Sequence, residues 1–416
     1  MALRPRARSI WATLRAERRT LRQGLVALAL STVASFVAGL TLGAITDTLS
    51  LLPGLLVLIP ASVGMRGTIF GAMAARLGTG IHAGLFEPTL RRDSLLGRNV
   101  EVGLISSVAA SFYLAAVAKL VASAFGERTI SFWDLVTISV VGGILASAVI
   151  LFATVVIAVL SFRRGWDLDA VATPLVTAIG DMVALPALFV ATFIPRNDTV
   201  NASVAAICTL AVIVVLIRAV VTASATRRVL VEMVAVLALT PLLDIFAGAL
   251  LQARLPTLEL VPAFLILIPP FVSQAGALGG ILSSRLTSKL QVGLISPRGR
   301  PEPPAILDGA IVLGFGLVVF TVIGAVAAAL ERLTGLADRA GVLHPGAGTI
   351  VAGAVLAGVV VLPILLLAGY YTAVVTTRFG LDPDNHGVPT ITSLLDLVGI
   401  AAVLFAMGVL GVGANG

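Results

Sequence analysis

Eleven apolar stretches, each long enough to cross a bilayer, leave this chain very few ways to fold. They fall at roughly 24–45, 52–75, 99–122, 133–161, 170–194, 203–221, 229–252, 260–282, 305–329, 349–376 and 388–412. A spanning helix needs about 20 apolar residues, so the expected fold is an all-α integral membrane protein of about eleven transmembrane helices. Only 12% of the residues are charged, against about 25% in soluble domains. That leaves no stretch for a separate soluble domain. The single cysteine, Cys208, excludes an internal disulfide, so packing alone must hold the helices. The first apolar run is longer than the ~7–15 residues of a cleavable signal, and it reads as an uncleaved span.

The basic residues sort by side. Alternating the spans from an inside start puts seven arginines, Arg4 to Arg22, ahead of the first span on the cytoplasmic face. Arg76, Arg91, Arg92, Arg98, Arg163, Arg164, Arg227, Arg228, Arg285, Lys289, Arg298, Arg300 and Arg378 join them, with Arg66 and Arg218 in spans near that side. Only Arg128, Arg196, Arg254, Arg332 and Arg339 fall outside, with Lys119 near the outer face. This bias places the N-terminus in the cytoplasm and the C-terminus beyond the membrane. The net charge of +7 is then a matter of topology. It points to the lipid bilayer, not to a nucleic acid, as the partner.

The chain repeats itself. Set without a gap, "VLIPASVGMRGTIFGAMAARLGTGIHAGLFEP" (57–88) matches "ILIPPFVSQAGALGGILSSRLTSKLQVGLISP" (266–297) at Pro60, Gly67, Gly71, Arg76 and other positions, an offset of 209 residues. "GWDLDAVATPLVTAIGDMVA" (165–184) likewise matches "GLDPDNHGVPTITSLLDLVG" (380–399) at an offset of 215. One duplication accounts for both. Each half holds five spans, an odd number, yet the halves keep their arginines on the same side. The extra span at 203–221 restores the direction of the chain. The expected organisation is a basic segment 1–23, a five-helix repeat 24–195, a linker helix with its loops 196–228, and a second repeat 229–416. The repeats are parallel, about a pseudo-two-fold axis along the membrane normal, as in parallel-repeat transporters.

Each repeat ends in a helix that carries an acid where water is absent. Pro174, Thr177 and Asp181, and likewise Pro389, Thr392 and Asp396, are spaced i, i+3, i+7, which gathers them on one helical face. Asp181 lies 11 residues past Ala170, about 16 Å into the bilayer at ~1.5 Å per residue. A carboxylate facing lipid at that depth costs at least ~2.5–3.5 kcal/mol, so both acids are expected to face inward. Symmetry then sets them opposite each other across the axis, unless each is enclosed in its own half. Two such carboxylates repel, and they share a proton unless a cation neutralises them.

No Cys or His accompanies the pair, because His82, His344 and His386 fall in loops. Hard oxygen ligands, few in number, suit a hydrated Mg²⁺, and sodium or protons stay open on these residues alone. The Gly67-x-x-x-Gly71 and Gly276-x-x-x-Gly280 faces allow close helix packing; they serve equally as a narrow pore wall. Asp167 and Asp169, with Asp382 and Asp384, cap the cytoplasmic ends of spans 5 and 11 and offer acids to a pore mouth. Asp244, in span 7, has no matching acid in span 1, and nothing is expected to pair with it. No HExxH motif and no nucleophile–base pair at membrane depth points to an enzyme.

The block 59–84, its second copy, and the Asp-Pro-Asp…Pro-x-x-Thr-x-x-x-Asp element at 382–396 resemble the membrane domain of MgtE-type magnesium transporters and channels. The single-chain, two-repeat form looks most like their animal solute-carrier relatives. The resemblance implies a divalent-cation transporter or channel, with Mg²⁺ as the favoured ion. It implies an ion site at Asp181 and Asp396, with Thr177 and Thr392 one turn before them, at the interface of two halves that act as a pseudo-dimer within one monomer. The alternative from the residues is a monovalent antiporter exchanging Na⁺ or H⁺ on the same aspartates. The chain departs from the family at Gly67-Thr68 and Gly276-Ala277, where Gly-Asn is usual, and at Asp167-Leu168, where Asp-Pro is usual. It reaches its first span after about two dozen residues, so the family's cytoplasmic sensor domains are not expected.

Overall fold

The computed structural model describes residues 18–91, 93–126, 129–164, 168–194, 198–221, 224–336, 343–381 and 386–412. Among them the chain is all helix and loop. In order the helices are α1 (Arg18–Ala44), α2 (Thr46–Leu51), α3 (Leu55–His82), α4 (Leu95–Ala124), α5 (Phe132–Arg164), α6 (Leu168–Ala191) and α7 (Asp198–Val221). They continue as α8 (Ser224–Ala253), α9 (Leu255–Glu259), α10 (Pro262–Gln291), α11 (Pro303–Leu333), α12 (Ala347–Phe379) and α13 (Val388–Val409). Eight of these are long and apolar enough to cross a membrane, and α1, α6 and α7 carry shorter apolar stretches at Leu28–Ala44, Leu175–Ala191 and Ala202–Arg218. The protein is therefore a multi-pass membrane protein.

Several helices outrun the apolar stretches that marked them. α3 continues to His82, past the expected end at 75, because backbone hydrogen bonding does not stop where hydropathy does. This moves Arg66. Expected near the cytoplasmic face, it sits in the first half of α3 and is 2% exposed, its Nη1 donating to the Ser62 carbonyl. The short helices α2 and α9 were not expected. They occupy matching places before α3 and α10, at the repeat offset of 209 residues.

The tertiary contacts repeat as the sequence does. α3 packs on α6, and α10 on α13; α5 packs on α6, and α12 on α13. The first helix of each half crosses over. α1 packs on its own α6 and on α10 of the other half, while α8 packs on its own α13 and on α3. The hydrophobic cores record the exchange: Phe36 and Leu42 of α1 belong to the cluster built around α10, and Ile245 and Ala249 of α8 belong to the cluster around α3. The helix α7 packs against α4 and α5 at the side of the first half and only lightly against α8.

Lipid tails are as apolar as leucine, so helices in a bilayer associate through close packing, not through exclusion of water. The crossings are close because of two glycines. A Cβ at Gly39 of α1 would collide with the Ile266 carbonyl oxygen of α10, and one at Gly248 of α8 would lie 2.5 Å from the Val57 carbonyl oxygen of α3. Both partners are related by 209 residues. Prolines shape the same spots, since Pro60 and Pro270 lack the N–H that the Leu56 and Ile266 carbonyls would otherwise accept. Those freed carbonyls face the glycine backbones of the crossing helices.

A polar clamp is repeated as well. Arg76 Nε donates to Asn99 Oδ1 at 2.8 Å. At the matching positions Arg285 Nη2 reaches Asp308 Oδ1 at 3.1 Å, and Lys289 adds a contact of 2.6 Å to Asp308 Oδ2. Asp308 is only 2% exposed, so its two cations are what make its burial tolerable.

The crossings generate a stability prediction. Gly39→Ala and Gly248→Ala each force backbone apart against backbone, at about 1–3 kcal/mol for overpacking. Both lower the thermal unfolding midpoint in detergent, whereas Gly314→Ala, where a Cβ meets nothing within 4 Å, does not.

Candidate functional site

The face of α6 that carries Thr177 and Asp181 is held against α3, and the matching face of α13 against α10. Small residues set these distances. A Cβ at Gly67 would lie 3.7 Å from Thr177 Cγ2, and one at Gly276 would lie 3.3 Å from Thr392 Cγ2. Gly280 faces Val388 in the same way at 3.5 Å, and Gly71 is buried. The glycines thus seat the threonine side of each terminal helix against the second helix of its own half. Thr392 Oγ1 donates to the Pro389 carbonyl at 2.9 Å, and Pro389 is buried. Asp167, Asp382 and Asp384 lie outside the described residues, as do the side chains of Asp169 and Pro174.

Asp181 is 8% exposed. Its Oδ2 accepts from Ser35 Oγ of α1 at 3.0 Å and from Ser273 Oγ of α10 at 2.9 Å. Ser31 stands behind, with its hydroxyl 3.3 Å from that of Ser273. One acid of the first half is therefore held by a hydroxyl from its own half and another from the opposite half. That arrangement exists only because α1 crosses over.

Asp396 has different company. It is partly exposed, and its carboxyl group meets that of Asp244 from α8 at hydrogen-bonding range. Asp181 also lies within its electrostatic reach. This corrects the expectation that nothing pairs with Asp244. Besides Asp396, it accepts from Ser393 Oγ at 3.2 Å through Oδ2. A Cβ placed at Gly64 of α3 would stand 2.8 Å from that oxygen and 3.7 Å from Asp396 Oδ2. Asp244 is 1% exposed, and its Oδ1 has no hydrogen-bond partner.

Ser35, Ser273, Ser393 and Gly64 were missed by the sequence reading. A signal was present. The 209-residue offset extends upstream of residue 57 through Ala38-Gly39 and Ala247-Gly248, which sets Ser35 over Asp244. The same offset sets Gly64 over Ser273.

Chemically, the region offers oxygen donors only: carboxylates, hydroxyls and helix carbonyls. Among the described residues no three His, Cys, Asp or Glu side chains converge into a closed metal site. Two carboxylates beside hydroxyls suit a hard cation that keeps much of its water.

Comparison with known proteins agrees with this chemistry. Mouse solute carrier family 41 member 3 is 24% identical over 361 residues, covering 83% of this chain and 73% of the mouse protein. Chicken solute carrier family 41 member 2 is 27% identical over 171 residues, covering 40% of this chain and 30% of its own length. No solved structure matches the chain significantly. The MgtE profile, described as a divalent cation transporter, matches twice, at residues 59–191 and 268–406, once in each half. With most of its length in those two matches, the chain belongs to the MgtE family of divalent cation transporters, and it is a transporter, not an enzyme.

Proposed function

We propose that the protein moves Mg²⁺, largely hydrated, along the interface between its two halves, with Asp181 and Asp396 as the mid-membrane acids that draw the ion in. In this reading the chain has eleven spans. Two parallel five-helix repeats, 24–195 and 229–416, are joined by the linker helix within 196–228, about a pseudo-two-fold axis along the membrane normal. The monomer acts as its own pseudo-dimer, its N-terminus cytoplasmic and its C-terminus outside. Thr177 and Thr392 add oxygen ligands or water contacts one turn before the acids. Pro174, Pro389, Gly67, Gly71, Gly276 and Gly280 form the wall beside them. Asp167, Asp169, Asp382 and Asp384 concentrate cations at the cytoplasmic mouth.

The observation that carries the reading is the meeting of Asp396 with Asp244, with Asp181 of the other half within electrostatic reach of Asp396. Asp181 and Asp396, on helices related by the duplication, lie within electrostatic reach of each other, and Asp244 joins them. Such a concentration of like charge in a low-dielectric interior needs a cation or protons to balance it. The ligand set, oxygen without sulfur or imidazole, favours Mg²⁺ over softer metals.

Two measurements follow. Protein reconstituted in sealed liposomes carries Mg²⁺ to a trapped indicator, and collapsing the proton and sodium gradients leaves the rate unchanged. A rate that falls with either gradient supports the antiporter reading instead. Asp396→Asn lowers Mg²⁺ flux at least about tenfold, equivalent to ~1.4 kcal/mol, with the thermal midpoint kept within a few degrees. Intact flux with a lowered midpoint makes the aspartate structural.

A further inference from the structure

The duplication gives each half the same three positions around its acid, and the two halves fill them differently. Around Asp181 they are Ser35 of its own half and Ser273 of the other; around Asp396, Asp244 of its own half and Gly64 of the other. We infer that the second set is a divalent-cation seat lying off the pseudo-two-fold axis, with Asp244 and Asp396 as its two carboxylate ligands. The first set is its hydroxyl-filled counterpart and holds no ion. The chain then binds one ion at this depth, not two and not one shared evenly on the axis. This rests on the transport reading above for the identity of the cargo and narrows its ion site: Asp181 attracts the ion from within electrostatic reach of Asp396 and is not a ligand.

Four observations support the seat. First, the serine set is already satisfied. Ser273 Oγ donates to Asp181 Oδ2, and Ser35 Oγ shares its proton between that oxygen and the Ser31 carbonyl, so side chains of both halves supply part of what an ion or water would supply. Second, the acid set is not satisfied. Asp244 and Asp396 meet carboxyl to carboxyl, and the one hydroxyl donor recorded, Ser393, serves Asp244. Among the described residues, no lysine or arginine acts on either carboxyl.

Third, the Asp244 Oδ1 is an orphan. A buried carboxylate oxygen without a donor is costly, and this one belongs to a residue only 1% exposed. The other oxygen of that carboxyl group, Oδ2, faces Gly64. Fourth, the acids take the place of a side chain. Where Ser273 stands beside Asp181, the matching Gly64 leaves its Cβ position to the acids, 2.8 Å from Asp244 Oδ2 and 3.7 Å from Asp396 Oδ2. Asp396 is partly exposed and gives the ion a way in, while Asp244 closes the far end. Two carboxylates match a divalent charge; a monovalent ion would leave one negative charge unbalanced.

The duplication supplies its own test, because each half shows what the other can accommodate. Asp244→Ser with Gly64→Ser gives Asp396 the two serine neighbours that Asp181 already has. Ser35→Asp with Ser273→Gly does the reverse. Binding of Mn²⁺ to purified protein in detergent, followed by electron paramagnetic resonance and displaced by Mg²⁺, counts the ions. The expected result is that the first pair of substitutions removes one Mn²⁺ equivalent or weakens it at least about tenfold, and that the reverse pair adds one. Thermal melts of both variants check that they fold.

If the first pair leaves both the number and the affinity of bound Mn²⁺ unchanged in folded protein, the seat is refuted. The same holds if wild-type protein binds no more Mn²⁺ than that variant, as it would were the two acids sharing a proton. The outcomes separate the two readings. Mn²⁺ binding lost in the variant, with no Mg²⁺ flux in wild-type liposomes, keeps the seat and retires transport of this ion. Mg²⁺ flux in wild type with no lost Mn²⁺ equivalent in the variant keeps transport and retires the seat.

Discussion

The crossing of the first helix of each half onto the second helix of the other is the contact on which the rest depends. It is made by backbone against backbone at Gly39 over Ile266 and at Gly248 over Val57. In a bilayer, where burying apolar surface brings helices no closer than lipid would, such small-residue contacts carry the association. They also set the chemistry. The crossing brings Ser35 and Ser273 together on Asp181, and it brings Asp244 to Asp396 over Gly64. Were each half closed on itself, each terminal acid would lose the partner that the first helix of its half and the second helix of the other now bring to it.

A duplicated fold held this way has two equivalent sites by default, and it is free to specialise them. Here the backbone frame stays symmetric while three side chains change. A carboxylate with two hydroxyl donors has part of its lost hydration replaced by the protein. A carboxylate facing another carboxylate is not settled. The same divergence appears on a milder scale in the polar clamps, where Arg76 meets the neutral Asn99 but Arg285 meets the charged Asp308, with Lys289 added in compensation. In both places the second half carries the extra acid. In the clamp it is neutralised by Arg285 and Lys289, whereas at Asp244 and Asp396 no cation among the described residues acts on it.

The sequence showed the parts that contrast with their surroundings. An aspartate within an apolar run is conspicuous, so Asp181 and Asp396 could be chosen, and their periodicity with Thr177 and Thr392 set the face. All eleven expected spans coincide with helices. The ends were less legible, because hydropathy reports the bilayer and not the hydrogen bonding that carries α3 on to His82. Serine and glycine are ordinary residues in membrane helices, so Ser35, Ser273 and Gly64 gave no local signal. Their roles exist only through the exchange of α1 and α8, which places residues 35 and 273 around residue 181. Asp244 seemed unpaired for the same reason: its partners are Ser393 and Asp396, about 150 residues away.

Diffraction at the manganese absorption edge, from crystals grown with Mn²⁺, locates the ion directly. The expected result is a single anomalous peak within ligand distance of the Asp244 and Asp396 carboxylates, on the Gly64 side and clear of Asp181. A peak midway between Asp181 and Asp396, or none at membrane depth in crystals that bind Mn²⁺ elsewhere, contradicts it.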